Sequence, residues 1–143
     1  MIEAGLFIRW GEPARGREAR AVEVFNESVQ YFALLQQERK IEGFDRAVFM
    51  PHGPDNGGFF LLRGSAQQID SVRREQGFLR LLNRARIRCE DVGVVDIFLD
   101  EGVAQMMSLY QEEVGIADQG VAQVVSLSEE EDNTVADQPP VTP

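Results

Sequence analysis

Phe44-Asp45-Arg46-Ala47-Val48-Phe49-Met50 and Phe59-Phe60-Leu61-Leu62-Arg63 are two apolar runs separated by the breaker-rich segment Pro51-His52-Gly53-Pro54-Asp55-Asn56-Gly57-Gly58. Strand-length runs joined through proline and glycine read as a β-hairpin with a long loop. Before the hairpin the period turns helical. From Arg17 to Lys40, Val22, Phe25, Val29, Phe32 and Ala33 form a stripe that Val24, Tyr31 and Leu35 widen, while Glu23, Asn26, Glu27, Gln30 and Gln37 take the opposite arc. After the hairpin, Ser65-Ala66-Gln67-Gln68 has the capping-box form, in which a serine and a glutamine three residues apart satisfy two orphan amides reciprocally. A second helix therefore begins at Ser65. Its first stripe, Ile69 and Val72, does not continue in phase through Phe78 and Leu81, and Gly77 sits at the slip. A kink is expected near Gln76 and Gly77.

Strand patterns lie beyond both helices, at Leu6 to Trp10 and Val92 to Leu99. The order is β-α-β-β-α-β, an α+β chain with a four-stranded antiparallel sheet and two main helices on one face. Val103, Met106, Met107, Tyr110 and Val114 then mark a short third helix that Gly115 should stop, and Val121 to Leu127 could add an edge strand to this or a neighbouring chain. Ser128 to Pro143 is acidic and poor in large apolar residues, so disorder is expected there. The expected division is one domain over 1–115 and an acidic, largely disordered tail over 116–143.

With 43% hydrophobic and 27% charged residues, the 143-residue chain has the composition of one soluble domain. Its net charge of −10 is unevenly placed. All 14 Lys and Arg lie at or before Arg88, while six of the 24 acids follow Gly115, which leaves the body at −4. An acidic chain without a basic stripe is a poor partner for nucleic acid or an anionic membrane, where affinity rests on neutralising phosphates. Cys89 is the only cysteine, so neither an internal disulfide nor a cysteine zinc cluster is expected. No uncharged apolar run reaches the roughly 18 residues of a membrane span, and Met1 to Gly5 lacks the pattern of a signal peptide. A cytoplasmic location is the expectation.

Sorting the strands by face assigns Leu6, Ile8, Ala47, Phe49, Phe60, Leu62, Val95, Ile97 and Leu99 to an apolar face that takes the helices. The other face would hold Phe7, Phe44, Val48, Met50, Phe59, Leu61, Val94 and Phe98 together with Arg9, Arg46, Arg63 and Asp96. So many large side chains exceed the apolar patch a soluble monomer exposes, about 300 to 600 Å². A second copy of the same sheet should cover them.

Such a chain resembles the dimeric α+β barrel superfamily, whose ferredoxin-like subunits pack their open sheet faces together. Gly11-Glu12-Pro13, Pro51-His52-Gly53, Gly58-Phe59-Phe60-Leu61-Leu62-Arg63-Gly64 and Gly77-Phe78-Leu79-Arg80-Leu81-Leu82 look like segments of a bacterial branch of small YCII-like and antibiotic-monooxygenase-like proteins. The resemblance implies a homodimer. In the superfamily's enzymes the ligand pocket lies between sheet and helices of one subunit. Its members include cofactor-free monooxygenases, isomerases, haem-degrading enzymes and proteins without known activity, so fold does not choose among them.

Among single residues, His52 is the only histidine and could transfer protons, but a lone loop histidine is more often structural or merely exposed. Trp10 and Tyr31 could line a pocket for an aromatic ligand or serve as packing. Arg9, Arg46, Arg63 and Asp96 are read as one polar cluster, which either forms ion pairs across a dimer interface or binds an anionic small molecule. No metal site and no cofactor are expected, because no ligand spacing is visible. The chain is thus read as a small dimeric module that binds a small molecule or a partner without catalysis. The alternative is a cofactor-independent monooxygenase or isomerase acting on a hydrophobic or aromatic small molecule.

Overall fold

The computed structural model describes residues 1–51, 53 and 56–125, with side chains up to 116. The described residues divide into two units, one over Met1–Val103 and a second that begins at Ala104. In the first, the strands are β1 (Ala4–Trp10), β2 (Gly43–Val48), β3 (Gly58–Gly64) and β4 (Gly93–Phe98). All pairings are antiparallel, in the order β2-β3-β1-β4. The helices are α1 (Glu18–Gln37), α2 (Ala66–Arg74) and α3 (Gln76–Arg88), so the sequence order β-α-β-β-α-β holds with its second helix in two pieces.

The core lies between one sheet face and these helices. Leu6, Ile8, Phe60 and Leu62 meet Val24, Phe32 and Leu35 of α1, Ile69 and Val72 of α2, and Phe78 and Leu81 of α3. Burying each such side chain contributes about 1.5–3 kcal/mol. The capping box at Ser65 forms as its sequence requires: Ser65 Oγ accepts from the Gln68 amide at 3.1 Å, and the Gln68 side chain accepts from the Ser65 amide at 2.8 Å.

The pairing register corrects the assignment of faces. Phe44 and Arg46 stand opposite Leu62 and Phe60, and Asp96 and Val94 stand opposite Leu6 and Ile8. Directly paired residues share a face, so Phe44, Arg46, Val48, Val94, Asp96 and Phe98 lie on the helix side. Ala47, Phe49, Val95, Ile97 and Leu99 belong to the open side, where Phe49 approaches Phe59 at 6.2 Å and a Cβ on Gly5 would meet Ile97 and Leu99. The β1 and β3 assignments stand, whereas those of β2 and β4 are reversed. The cause is that β2 and β4 are the two edge strands. At an edge the helices cover less, so Arg46 and Asp96 reach water from the helix side, and Asp96 pairs with Arg73 of α2 at 3.6 Å.

A second correction concerns the third helix. It does not stop at Gly115, and no strand begins at Val121: α4 runs from Glu101 to Val125. A glycine C-cap stops a helix by turning left-handed, and Gly115 has no positive φ. The stripe residues Val103, Met106, Met107, Tyr110 and Val114 are exposed. Residues 126–143 lie outside the described residues.

The kink expected near Gly77 is present, but one extended residue makes it. Glu75, at φ −67° and ψ 138°, ends α2 and starts α3. Tyr31 of α1 packs into this break, donating to Glu75 Oε1 at 2.6 Å while Lys40 donates to Oε2 at 3.0 Å. Tyr31's hydrogen bond is the largest influence holding the Glu75 carboxyl below its usual range, opposed by desolvation and reinforced by Lys40. Burial, then the same hydrogen bond, pushes the Tyr31 phenol well above its usual value. Gly77 lacks positive φ, yet a Cβ there would lie 3.0 Å from Tyr31 Oη. Helix propensity alone favours Gly77→Ala by about 1 kcal/mol, but the crowding should outweigh it. The variant should lose about 1 kcal/mol of stability against the wild type, and gain stability when introduced beside Tyr31→Leu. Thermal unfolding of the four proteins measures this; stabilisation by Gly77→Ala with Tyr31 present would contradict it.

Candidate functional site

Between the sheet and the helices α1 and α3, near the end of the sheet where β1 finishes, lies a cavity of about 500 Å³. Strand alternation supplies its first wall. Trp10 follows Leu6 and Ile8 on the helix side of β1, and its indole packs against Phe25 at 5.7 Å and Phe60 at 5.1 Å. Phe25 and Phe60 stack at 5.4 Å, and Phe32 meets Phe60 edge-on at 5.0 Å. This aromatic cluster fixes the cavity's shape, because each ring holds its neighbours in a preferred tilted or edge-on geometry. Leu82 and Ala85 of α3 complete the helical wall.

The glycine pair at the start of β3, Gly57 and Gly58, makes the approach of Trp10 possible. Gly57 has φ +155°, a conformation side-chain-bearing residues rarely adopt, and a Cβ there would collide with the Trp10 carbonyl oxygen. A Cβ on Gly58 would come within 2.8 Å of the indole. At the mouth, Asn56 Nδ2 donates to Glu12 Oε2 at 3.0 Å and ties the hairpin loop to the turn after β1.

Deeper in, the wall carries two polar groups that composition alone did not mark as a site, Ser28 and Cys89. Ser28 lies in the buried row Ala21, Val24, Ser28, Phe32, Leu35 of α1, only 6% exposed. Its hydroxyl donates to the Val24 carbonyl at 2.7 Å. The signal was available in the sequence: Ser28 falls four residues from both Val24 and Phe32, but the stripe read through Val22, Phe25 and Val29 lay one position off. Val22 is 60% exposed. Cys89 ends α3 on the cavity wall, and burial pushes its thiol up, away from the thiolate.

The other candidates separate. Trp10 lines the cavity; Tyr31 does not, and instead holds the α2–α3 break. His52 lies outside the described residues. The proposed cluster of Arg9, Arg46, Arg63 and Asp96 is divided between two faces, since Arg9 and Arg63 sit opposite Phe59 and Gly43 on the open side while Arg46 and Asp96 sit on the helix side. The missing partner on the open side is Asp45, whose Oδ2 accepts from Arg63 Nε at 3.1 Å and from Nη2 at 2.8 Å. Among the described residues no three His, Cys, Asp or Glu side chains gather as metal ligands, and no helix is long and apolar enough to cross a membrane.

No protein-family model matches the chain, and no curated protein matches it. Solved structures do. A dimeric protein of unknown function and ferredoxin-like fold from Bacteroides fragilis superposes with a TM-score of 0.53 at 10% identity, covering 68% of this chain and 96% of its own. A dimeric ferredoxin-like protein of unknown function from Jannaschia sp. gives 0.53 at 14% identity, with coverages of 67% and 99%. A protein of unknown function from Nitrosomonas europaea gives 0.50 at 18%, with coverages of 69% and 90%. At these identities the likeness establishes the ferredoxin-like fold.

The half-buried wall position of Cys89, the only cysteine, can be read directly. Its alkylation by iodoacetamide should still be accelerating with pH beyond about 10, where an exposed thiol with a pKa of about 8.5 has levelled off. A plateau reached by about pH 10, as for an exposed thiol, would contradict the desolvated placement.

Proposed function

We propose that the protein is a homodimeric module that holds a small, largely apolar molecule in the cavity between its sheet and helices, without catalysis. The observation that carries this reading is the cavity itself: about 500 Å³ walled by Trp10, Phe25, Phe32 and Phe60, within the range of small-molecule sites. Binding is favoured over turnover by the chemistry of the wall. Its carboxylate, Glu12, sits at the mouth and accepts from Asn56, and its two smaller polar groups are a hydroxyl already donating to a backbone carbonyl and a thiol that burial shifts away from the thiolate. Neither is poised as a nucleophile or general base.

Dimerisation is supported by the open sheet face, which carries Phe7, Phe59, Leu61, Val95 and Ile97 on its strands, with Asp45 set against Arg63. Val95 is 51% exposed in the single chain. The dimeric character of two structural neighbours supports the same reading. Light scattering at micromolar concentration should give twice the 16.0 kDa chain mass; a monomer would remove the dimer from the proposal.

Cavity filling tests the ligand reading. Saturation of the wild type at roughly 100 times Kd by a member of a panel of neutral bicyclic aromatics should stabilise it by about 2.7 kcal/mol. Ala85→Phe, which places a ring in the cavity, should abolish that thermal shift. A panel without effect, or a shift that survives in Ala85→Phe, would refute the site.

A further inference from the structure

We infer that Ser28 sets the specificity of the cavity for ligands that carry a hydrogen-bond donor, an N–H or O–H group at one end of an otherwise apolar, aromatic body. The inference rests on the cavity reading above and goes beyond it by assigning the polar end of the ligand.

A serine hydroxyl has one proton to donate and two lone pairs that accept. The proton of Ser28 is committed, since Oγ donates to the Val24 carbonyl at 2.7 Å. Among the described residues no group donates to Ser28 in return. Its oxygen is therefore left as an acceptor on the wall of an apolar cavity, between Val24 and Phe32 on the buried face of α1. A buried acceptor has its partner supplied by protein, water or ligand.

The remaining inner wall cannot do the same work. Phe25, Phe32 and Phe60 offer ring faces, Trp10 and Arg9 can donate but not accept, the Cys89 thiol is a weak group, and Glu12, the lining carboxylate, stands at the mouth accepting from Asn56. A ligand whose only polar atom accepts would meet the Ser28 oxygen lone pair to lone pair. One with a hydroxyl or N–H would complete the hydroxyl's hydrogen bonding and lay its rings against the aromatic cluster. The site thus selects neutral phenol-like, alcohol-like or indole-like molecules over hydrocarbons and ethers of the same size.

The helix does not depend on this hydroxyl. The Ser28 side chain bonds within its own helix, and alanine is the better helix former, so Ser28→Ala should fold normally. Calorimetric titration of wild type and Ser28→Ala with 1-naphthol and with 1-methoxynaphthalene, which lacks the donor, tests the assignment. The wild type should bind 1-naphthol about three- to tenfold more tightly than its methyl ether, the effect of one neutral hydrogen bond, and Ser28→Ala should lose that preference. Equal binding of the two probes by the wild type, or a preference that survives in Ser28→Ala, overturns the role of Ser28 while leaving the cavity reading intact. Failure of both probes to bind the wild type overturns both.

Discussion

The position of β1 between β3 and β4 is the constraint on which the rest of the structure depends. Its pairing fixes Leu6 against Leu62 and Asp96, and Ile8 against Phe60 and Val94, so one register decides both faces of the sheet at once. A slip of one residue would send Leu6, Ile8 and Trp10 to the open side and bring Phe7 and Arg9 under the helices. The core, the aromatic cluster and the cavity all follow from that single choice.

The cavity is what this packing leaves over. Trp10 closes against Phe25 and Phe60 because Gly57 and Gly58 let the hairpin loop pass close to the end of β1. Its neighbour on the helical side is the row from Ala21 to Leu35, into which a serine is set where an apolar side chain would fill more space. On the far side of the same helix layer, the extended Glu75 lets α2 and α3 present separate faces, Ile69 and Val72 on one and Phe78 and Leu81 on the other. Tyr31 braces that junction by a hydrogen bond to the Glu75 carboxylate, at the start of the helix that carries a wall of the cavity.

Much of the fold was legible because several local signals agreed. The Ser65–Gln68 capping box, the phase slip before Phe78, and the breaker-rich loop between two apolar runs each had one structural solution. The faces of β2 and β4 were not legible for a physical reason. Both alternating sets in β4 are apolar, Val94 and Phe98 against Val95 and Ile97, so alternation shows that a strand exists without showing its phase. Assigning Arg46 and Asp96 away from the core was sound for a central strand but fails at an edge, where Asp96 meets Arg73 in solvent. Trp10 was legible as either a pocket or a packing residue, and it serves as both, lining the cavity while its indole packs on Phe25 and Phe60. Ser28 was not, because a polar residue in a buried helical row looks like an interruption until its neighbours Val24 and Phe32 are seen to be inside.

The account's central claim is that a small apolar molecule enters between sheet and helices and does not lie on the open sheet. Isotope-filtered NMR of the protein with 1-naphthol locates it directly. Nuclear Overhauser contacts from the probe's ring protons should reach Trp10, Phe25 and Leu82, which line the cavity. Contacts confined to Phe7, Phe59 and Leu61, which occupy the open face, would contradict the claim.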